Sequence, residues 1–587
     1  MSRLQWVQII LFTLVIQTAS FGGDEVIEPE VFGNQQSLIQ AKTKMDGLYQ
    51  MLIAQAVDRG ADSAVSLPLS DDEIYELMVA PQTDQVGITR IVNLDVDLAP
   101  AVVYAGKKPM DLGFGAAVRR ERDLIWTGQV ISQDATAMRL HFEDFDLPEG
   151  VEVFVFNDDG EAHGPYTGRG VYDQGSFWSD AMFGEVAWVQ VRVPAATKEP
   201  VTFVISEVAH FGPRFFIGQA KRNHRLGKSC ESGGVDSCVE NAMCEDNSII
   251  DDATDAIAHY TFQEDGGGWK MCSGGLIADS DASTSYPYFL TAYHCISSES
   301  EAQSITAYFD FTTANACHSL TDWCGLNLTW APTVSGASLM ATGGSYENGD
   351  YALLKLNSKP SGRNIYLGSN AADYSDNEGV TVYRVSHPNG YPQAWSTSTI
   401  STTLSTCSGS YDLSRPKFVW SYRDEGGTMG GSSGAPLLNW QGKVVGNLSG
   451  GCVADTDCGT NKRVRDGSFH YAFYRNLRPF LYPTAMHVDD ITVVEQSGNG
   501  GYQAKVTVRI VDDADVPVSG AHVMVRIDGP MFFFKPLGTT DANGVVTLYT
   551  PVSPMSGSWS ACTVFVDRPG LTMNWDRNAD RETCATN

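Results

Sequence analysis

Hydrophobic and polar residues alternate along most of this chain, and the alternation predicts β-strands. Every second residue is apolar over 92–98, 138–142 and 504–510. Successive side chains of a strand point to opposite faces, so each such segment would have one buried and one exposed face. Turn sequences such as 147–150 (LPEG) and 541–544 (DANG) separate the runs. The predicted fold class is therefore mostly β.

One amphipathic helix is expected over 34–59. Leu38, Leu48 and Leu52 lie there at roughly helical spacing, and a glycine follows at position 60 as a stop signal. From about 70 to 206 the pattern returns to strict alternation without any cysteine, which predicts a β-sandwich.

The length of the chain predicts several folded units. At 587 residues it is too long for one hydrophobic core, since cores stop growing near about 250 to 300 residues. Changes in pattern and in cysteine content divide it into four parts: a signal peptide at 1–20, a helix-plus-sandwich region at 21–228, a cysteine-containing domain at 229–482 and an immunoglobulin-like β-sandwich at 483–587.

The N-terminus and the cysteines predict a secreted, extracellular protein. Arg3 precedes an apolar stretch at 6–16 and small residues at 18–20, which is the form of a secretory signal. Its apolar core is short for a membrane span, although a tethering helix stays open as the alternative. All twelve cysteines follow residue 229, and an even number behind an export signal predicts disulfide bonds. No membrane span is expected after signal removal.

Charge and motifs exclude several classes of partner. Asp and Glu outnumber Lys and Arg by 70 to 40, giving a formal charge of −30, which phosphate backbones would repel. No nucleic acid partner is expected. The chain contains neither a CxxC pair nor an HExxH motif, so neither a metal nor another cofactor is predicted.

The basic segment 221–228 (KRNHRLGK) predicts an exposed linker that a protease could cut, with a plain solvated loop as the alternative.

Three runs carry residues suited to hydrolysis by a serine. The run 430–436 (GGSSGAP) places a serine in a turn of small residues, where backbone amides can converge. The run 288–295 (YFLTAYHC) ends an apolar stretch with a histidine, and 349–356 (GDYALLKL) begins another with an acid. Such hydrolysis needs a hydroxyl, a base, an orienting acid and donors for the oxyanion. Taken singly, the runs also fit a loop, a structural histidine and a strand-edge acid.

In this order the three runs resemble the chymotrypsin-like serine peptidases, whose patterns are close to T-A-A-H-C, D-x-A-L-L and G-D-S-G-G-P. The resemblance covers roughly 235–480. It is closest to the bacterial lysyl-endopeptidase-like branch, because of 289–295 (FLTAYHC), 386–388 (SHP) and 431–434 (GSSG). It implies two six-stranded β-barrels with the site in the cleft between them, flanked by an N-terminal helix plus β-sandwich pro-region and a C-terminal immunoglobulin-like β-sandwich.

The resemblance also implies a role for each residue. His294 is the general base, Asp350 orients it, and Ser433 is the nucleophile of an endopeptidase that acts on proteins or peptides through an acyl-enzyme. The amides of Gly431 and Ser433 form the oxyanion hole. His387 follows the acid in the chain and precedes a proline, so it is interpreted as structural.

One departure from the family concerns activation. Ser432 stands where animal enzymes have an aspartate that pairs with a new N-terminus, and no I-V-G-G start precedes the domain, so that activation is not expected. Similar bacterial enzymes carry a β-rich pro-region, which 164–170 and 175–179 resemble. The chain's own pro-region is thus an expected inhibitor or folding aid, and the active form is expected to begin between Arg222 and Ser237.

The resemblance implies three disulfide bonds: Cys272–Cys295, Cys244–Cys317 and Cys238–Cys452. Cys230 and Cys458 lie just outside the third pair, so we expect them to be joined. The remaining expected pairs are Cys324–Cys407 and, in the last domain, Cys562–Cys584.

Specificity is expected to depend on an acid that pairs with a basic substrate side chain. The trypsin-type position, six before the serine, is Gly427, so that acid is missing. Lysyl-type relatives place an aspartate some thirty residues after the serine, for which Asp466 is the candidate. Ser449 occupies the apparent place of their companion histidine. Cleavage after Lys or Arg is the resulting hypothesis. The other acids considered are Asp424, Glu425, Asp455 and Asp457.

Two alternatives come from other functional classes. The first is a secreted binding protein or adhesin on an inactive protease scaffold. The second is an α/β-hydrolase, which is opposed because the histidine precedes the serine and the serine motif ends in Ala435-Pro436.

Overall fold

The computed structural model describes most of the chain from residue 25 onward. The described residues are 25–57, 64–79, 84–98, 109–120, 123–212, 238–281, 286–313, 332–404, 413–452, 455, 458–459, 462–483, 485–498, 500–531, 533–568, 570–574 and 584–587. The expected signal peptide and the basic segment 221–228 therefore lie outside them.

The N-terminal region begins with two short strands and a long helix. Its helices are α1 (Gln35–Gln55) and α2 (Asp71–Ile74), the second continued by a π-helical turn (Tyr75–Val79). Its strands are β1 (Val26–Ile27), β2 (Glu30–Phe32), β3 (Val65–Leu67), β4 (Gln85–Leu98), β5 (Met110–Asp111), β6 (Ala116–Arg120), β7 (Asp123–Ser132), β8 (Ala137–Glu143), β9 (Glu152–Phe156), β10 (Ala162–Tyr166), β11 (Phe177–Trp178), β12 (Met182–Phe183), β13 (Val186–Val193) and β14 (Val201–Phe211).

The predicted helix and sandwich are both present in this region. Asn34 caps α1 by accepting a hydrogen bond from the amide of Ser37, and the helix ends at Gln55, before the expected limit of 59. One sheet has the order β10-β9-β13-β7-β6-β5, with β3 on β7, and the other contains β11-β8-β14-β4. Phe142 and Trp126 lie among the apolar side chains buried between them.

The central region contains most of the cysteines and all of the candidate chemistry. Its helices are α3 (Ser248–Thr254), α4 (Glu299–Ser304), α5 (Phe469–Ala472) and α6 (Arg478–Leu481), with single turns at Ala242–Cys244, Pro388–Gly390 and Phe473–Leu477. Its strands are β15 (Glu240–Asn241), β16 (Ile257–Gln263), β17 (Gly268–Leu276), β18 (Tyr288–Thr291), β19 (Thr306–Tyr308), β20 (Thr333–Ser335), β21 (Ala337–Thr342), β22 (Ala352–Leu356), β23 (Asn364–Tyr366), β24 (Ser369–Asn370), β25 (Thr381–Ser386), β26 (Ala394–Ile400), β27 (Phe418–Gly426), β28 (Pro436–Leu438), β29 (Val444–Gly451) and β30 (Arg463–Ser468).

The second half of the central region is a closed six-stranded barrel, as predicted. Its pairing runs β25-β26-β27-β30-β29-β28 and returns to β25 through Tyr383 and Leu438. Alternate residues such as Val382, Val419 and Val445 form a buried cluster. Closure leaves none of these six strands with an unpaired edge.

The first half differs from the predicted second barrel. Strand β17 pairs with β16 and β18, β19 and β20 continue from β16, and β22 and β21 continue from β18. The ladder of described strands does not close. Only Gly275 and Leu276 of β17 pair with β18, and residues at the beginning of β17 pair with β4 of the N-terminal region. The two regions thus share one twelve-stranded sheet.

The C-terminal region is a separate two-sheet β-sandwich. Its strands are β31 (Ala485–Gly498), β32 (Gly501–Asp512), β33 (His522–Asp528), β34 (Phe533–Phe534), β35 (Leu537–Thr539), β36 (Val545–Tyr549), β37 (Ser560–Asp567), β38 (Thr572–Met573) and β39 (Cys584–Thr586). One sheet has the order β36-β32-β31-β38 and the other β34-β33-β37-β39, with β35 on β33. Val506, Ile527 and Trp559 belong to the core. Its immunoglobulin-like character stays a prediction. None of the helices in the described residues is long and apolar enough to cross a membrane.

Candidate active site

The candidate base and acid lie at the same edge of a sheet. Strands β18 and β22 are antiparallel neighbours, and Thr291 at the end of β18 pairs with Ala352 at the start of β22. His294 follows Thr291 closely in the chain, and Asp350 comes shortly before Ala352. Antiparallel pairing therefore brings together two side chains that are far apart in the chain.

Asp350 contacts His294 at two points. The Asp350 side chain is 0% exposed, its Oδ2 is 2.8 Å from His294 Nδ1, and its Oδ1 accepts the backbone N–H of His294 at 3.0 Å. Ser449 Oγ donates to Oδ2 at 2.5 Å, and Asn447 donates to the Asp350 carbonyl at 2.8 Å. A carboxylate can only accept, so Nδ1 carries the proton and Nε2 is left as the basic nitrogen.

The surroundings of His294 raise its pKa above the ordinary value. Burial by itself lowers the pKa, but the charge of Asp350 and its hydrogen bond outweigh that effect. The negative charge of Asp84 raises the pKa further, whereas the cation of Arg465 opposes it. The ring is well placed to accept a proton and hold it as a cation.

A disulfide bond anchors the turn that carries the base. Cys272 of β17 is joined to Cys295, with Cα atoms 6.5 Å apart, which confirms this predicted pair. The two sulfur atoms lie close to the His294 ring. Because both are in the disulfide, they offer no thiolate to a metal ion.

Ser433 lies in the turn before β28, and this turn packs against both halves of the region. The Ser433 carbonyl accepts from Ser273 of β17 at 2.8 Å. Gly434 has φ of +84°, and a Cβ there would overlap Thr291 Oγ1, so the turn needs a glycine. Ser433 is half-buried. Among the described residues, no hydrogen bond joins its hydroxyl to His294.

The two amides assigned to the oxyanion hole are unpaired. The N–H groups of Gly431 and Ser433 have no acceptor within the described part of the chain, whereas the intervening N–H of Ser432 donates to Met429 at 3.0 Å. Ser432 is fully buried, and its hydroxyl accepts from Ser386 at 3.0 Å. Amides without an acceptor in the folded protein are one requirement of an oxyanion hole, and these two meet it.

His387 occupies a structural position, in agreement with its interpretation from the sequence. It is fully buried, and its Nδ1 donates to the carbonyl of Tyr391 at 2.9 Å. Its ring stacks on Phe311 with centroids 5.7 Å apart. Burial lowers the pKa of His387 to about 4, so the ring is neutral at pH 7.

Asp466 is already paired inside the closed barrel. Its side chain is 0% exposed and forms an ion pair with Arg384, which is 1% exposed. An acid neutralised in the barrel interior is not available to a substrate side chain, so this placement weighs against Asp466 as the pocket acid. Nothing in the sequence around Arg384 pointed to this pair, because it depends on how the barrel closes.

Ser449 supports the acid of the site instead of facing outward. Its hydroxyl donates to Asp350 and accepts from Arg465 Nε at 3.3 Å. The Arg465 guanidinium lies over the rings of Tyr346 and Trp420, at 5.2 and 5.6 Å from their centroids. Arg465 was missed in the sequence, where a lone arginine in a strand gives no signal.

The other candidate acids have ordinary placements. Asp455 forms an ion pair with Arg463 at 2.9 Å, and Asp424 accepts from Thr399 at 2.7 Å. Glu425 is exposed on β27, and Asp457 lies outside the described residues.

The disulfide pairing differs from the expectation at Cys238. Cys238 is joined to Cys458, with Cα atoms 5.4 Å apart, so the predicted pairs Cys238–Cys452 and Cys230–Cys458 are wrong. Cys452 is instead buried beside Phe418 and Trp420. Cys562–Cys584 is confirmed. Cys244 and Cys452 are disulfide-bonded, but their partners lie outside the described residues, as do Cys230, Cys317, Cys324 and Cys407.

One family model matches the segment that contains the candidate site. Residues 232–469, which include His294, Asp350 and Ser433, match the family model described as lysyl endopeptidase, C-terminal domain. The match supports a serine peptidase. It does not reach the N-terminal sandwich or the C-terminal region.

Individual known proteins share only low sequence identity with this chain. The chain is 25% identical over 349 residues to Secreted RxLR effector protein 73 of Plasmopara viticola, covering 57% of this chain and 79% of that protein. The Rv3671c protease from M. tuberculosis, active form, aligns at TM-score 0.26 and 14% identity over 42% of this chain and 92% of its own. Deg5 aligns at TM-score 0.26 and 16% identity over 40% and 93%. Structural likeness of this extent establishes nothing further.

Proposed function

We propose that this chain is a secreted serine endopeptidase in which His294, Asp350 and Ser433 form the catalytic triad. The observation that carries the proposal is the two-point contact of the buried Asp350 carboxylate with His294. That contact fixes the ring and its tautomer beside a turn that presents a serine and two unpaired amides.

In the proposed reaction Ser433 Oγ attacks the carbonyl carbon of the scissile peptide bond. His294 Nε2 takes the hydroxyl proton, and the amides of Gly431 and Ser433 donate to the oxyanion that forms. The C–N bond then breaks as His294 returns the proton to the leaving amine, which leaves an acyl-enzyme. A water molecule, deprotonated by the same nitrogen, hydrolyses the ester and restores the serine.

Secretion belongs to the proposal as well. It is supported by the signal-like N-terminus, by the disulfide bonds of the central and C-terminal regions and by a relative whose name describes a secreted protein. The proposed partners are protein or peptide substrates. The N-terminal region is proposed to aid folding or to regulate the enzyme.

Cleavage after Lys or Arg stays part of the proposal and is supported by the name of the matching family. An acid other than Asp466 would then have to contact the substrate, since Asp466 pairs with Arg384. Values of kcat/KM on matched peptides with Lys, Arg, Leu or Phe before the cleaved bond measure the preference. A preference for Leu or Phe would contradict it.

The central test compares Ser433→Ala with Ser432→Ala. Loss of the nucleophile costs on the order of a million-fold in kcat in comparable enzymes, so Ser433→Ala should remain folded and lose nearly all peptidase activity. Ser432→Ala is the matched control, because its hydroxyl is buried and bonded to Ser386, and it should be far milder. The reverse result would show that the assigned nucleophile is wrong.

The second candidate is a secreted binding protein on an inactive protease scaffold. It is favoured by a relative named as an effector and by the lack of a hydrogen bond between Ser433 and His294 among the described residues. A serine-directed fluorophosphonate separates the two functions, since only an activated hydroxyl reacts with it. Wild-type protein that is neither labelled nor active on peptides would favour the binding protein.

A further inference from the structure

The N-terminal sandwich continues directly into the central region through paired strands. Ile88 and Gly87 of β4 pair with Gly268 and Trp269 of β17, and the sheets on either side extend without interruption. Strand β4 pairs with the first residues of the β17 edge that β18 leaves unpaired. A strand added to an edge in this way is held by main-chain hydrogen bonds.

A buried aromatic contact lies beneath this strand pair. Trp269 of the central region is 0% exposed. The rings of Phe211 and Trp178, both from the N-terminal region, lie 5.0 Å from its ring, and the Arg139 guanidinium lies 5.3 Å above it. Large aromatic side chains buried at this depth dominate the stability of a contact.

Polar contacts satisfy the groups around the aromatic cluster. Thr89 Oγ1 donates to the carbonyl of Gly267 at 2.7 Å and accepts from Gln263 at 3.0 Å and Trp269 Nε1 at 3.1 Å. Tyr172 donates to the carbonyl of Gln303 at 3.0 Å. The interface therefore resembles the interior of one domain.

A second attachment involves β23 and β24 of the central region. Strand β1 pairs with β24 and β2 pairs with β23, so the first described residues add a strand at two places. Glu25 also forms an ion pair with Arg478 at 2.8 Å. The N-terminal region thus holds the central region at two separate points.

The interface reaches the oxyanion turn. The carbonyl of Asp84, directly before β4, accepts the amide of Met271 at 3.0 Å. A Cβ on Gly431 would lie 3.3 Å from Met271 Cε and 2.8 Å from the carbonyl of His387. Phe311, which stacks on His387, belongs to the same buried cluster as Met271. The packing of the interface therefore supports the backbone that presents the two free amides.

The N-terminal region does not seal the site. With that region in place, the His294 side chain is 32% exposed and Ser433 is half-buried. A pro-region that inhibits by covering the cleft would bury both side chains.

We propose that the N-terminal sandwich is a permanent component of the active protein, which stays bound to the central region after any cut in 221–228 and supports the oxyanion turn. Its loss would expose Trp269, Met271 and Phe311 and unpair the beginning of β17, leaving apolar surface and backbone groups without partners. The part that concerns catalysis rests on the proposed function.

The test uses the full chain with residues 221–228 replaced by the recognition sequence of a site-specific protease. After cutting, two fragments should separate on a denaturing gel but elute together from a native gel-filtration column. The cut protein should keep the fluorophosphonate labelling and peptidase activity of the uncut protein. Separate elution of the fragments would overturn the proposal, most plainly if the central fragment stays active alone.

Two matched variants locate the contact. Trp178→Leu removes the ring beside Trp269 and a hydrogen bond to Gln263 of 3.1 Å, so the dissociation constant of the cut fragments should rise about tenfold or more. Trp188→Leu is the control, because its ring stacks on Phe156 in the sheet whose described strands all belong to the N-terminal region. Equal effects of the two variants would refute the assigned interface.

These outcomes also separate this inference from the proposed function. If the uncut protein is neither labelled nor active while the fragments still elute together, the peptidase proposal fails and the permanent association stands. If the fragments separate and the central fragment is labelled, the association fails and the peptidase stands.

Discussion

Replacement of Asp466 by asparagine distinguishes a structural acid from a pocket acid. Asp466 and Arg384 are 0% and 1% exposed, and they form an ion pair inside the closed barrel. The Asp466→Asn substitution would keep the size of the side chain but remove its charge. The guanidinium of Arg384 would then be a buried cation without its counter-ion.

The expected cost follows from this geometry. Removing one partner of a buried ion pair destabilises a protein by about 3–5 kcal/mol, because the remaining charge keeps its desolvation penalty. Domain stabilities are commonly about 5–15 kcal/mol, so the loss would be a large fraction of the total. The preference of the enzyme among substrates should not change, since neither side chain reaches solvent.

Urea unfolding and peptide hydrolysis measure the two effects separately. Asp466→Asn should unfold at clearly lower urea, while its ratio of kcat/KM for Lys and Leu peptides equals that of the wild type. Replacement of both residues by apolar ones, as in Arg384→Met with Asp466→Leu, should recover much of the stability. A variant with wild-type stability and lost selectivity for Lys or Arg would refute this reasoning and restore Asp466 as the pocket acid.

Three further predictions concern the site and its disulfides. Ser449→Ala removes a hydrogen bond to the charged Asp350, worth about 1.5–3 kcal/mol of stability, so the urea midpoint should fall, and kcat/KM should fall as well because the carboxylate that holds His294 loses a partner. In the proposed mechanism His294 acts as a neutral base, and its pKa is raised, so activity should be lost as the pH falls through a midpoint above the ordinary histidine value. Asp84→Asn should move that midpoint to lower pH, whereas Asp97→Asn should not; an unmoved midpoint would exclude an effect of Asp84. Non-reducing peptide mapping should recover Cys238 linked to Cys458, and a Cys238–Cys452 peptide would contradict the structure.

The parts of the site that could be predicted are those encoded in short runs of sequence. The apolar runs before His294 and after Asp350 are recognisable as strands, and antiparallel pairing of Thr291 with Ala352 then brings the two residues together. The small residues around Ser433 likewise indicate a tight turn. Each of these features depends on a few neighbouring residues, so it can be recognised from a short stretch of sequence.

The parts that could not be predicted depend on contacts between distant segments. Asp466 forms an ion pair with Arg384 only because β30 and β25 belong to the same closed barrel. Cys452 and Cys458 are close in the chain, and their order alone does not decide which of them reaches Cys238. Ser449 has no local feature that distinguishes a support for Asp350 from a residue of the pocket.

The domain boundary shows the same limit most clearly. The basic segment 221–228 and the start of the cysteines indicate where the chain could be cut, and the alternation over 92–98 indicates a strand. Neither pattern predicts which strand pairs with β4, because every strand edge presents the same row of amides and carbonyls. An uncovered edge at the start of β17 would offer unpaired amides and carbonyls to another chain. Strand β4 prevents this by covering it, so the position of a possible cut does not mark a division of the folded structure.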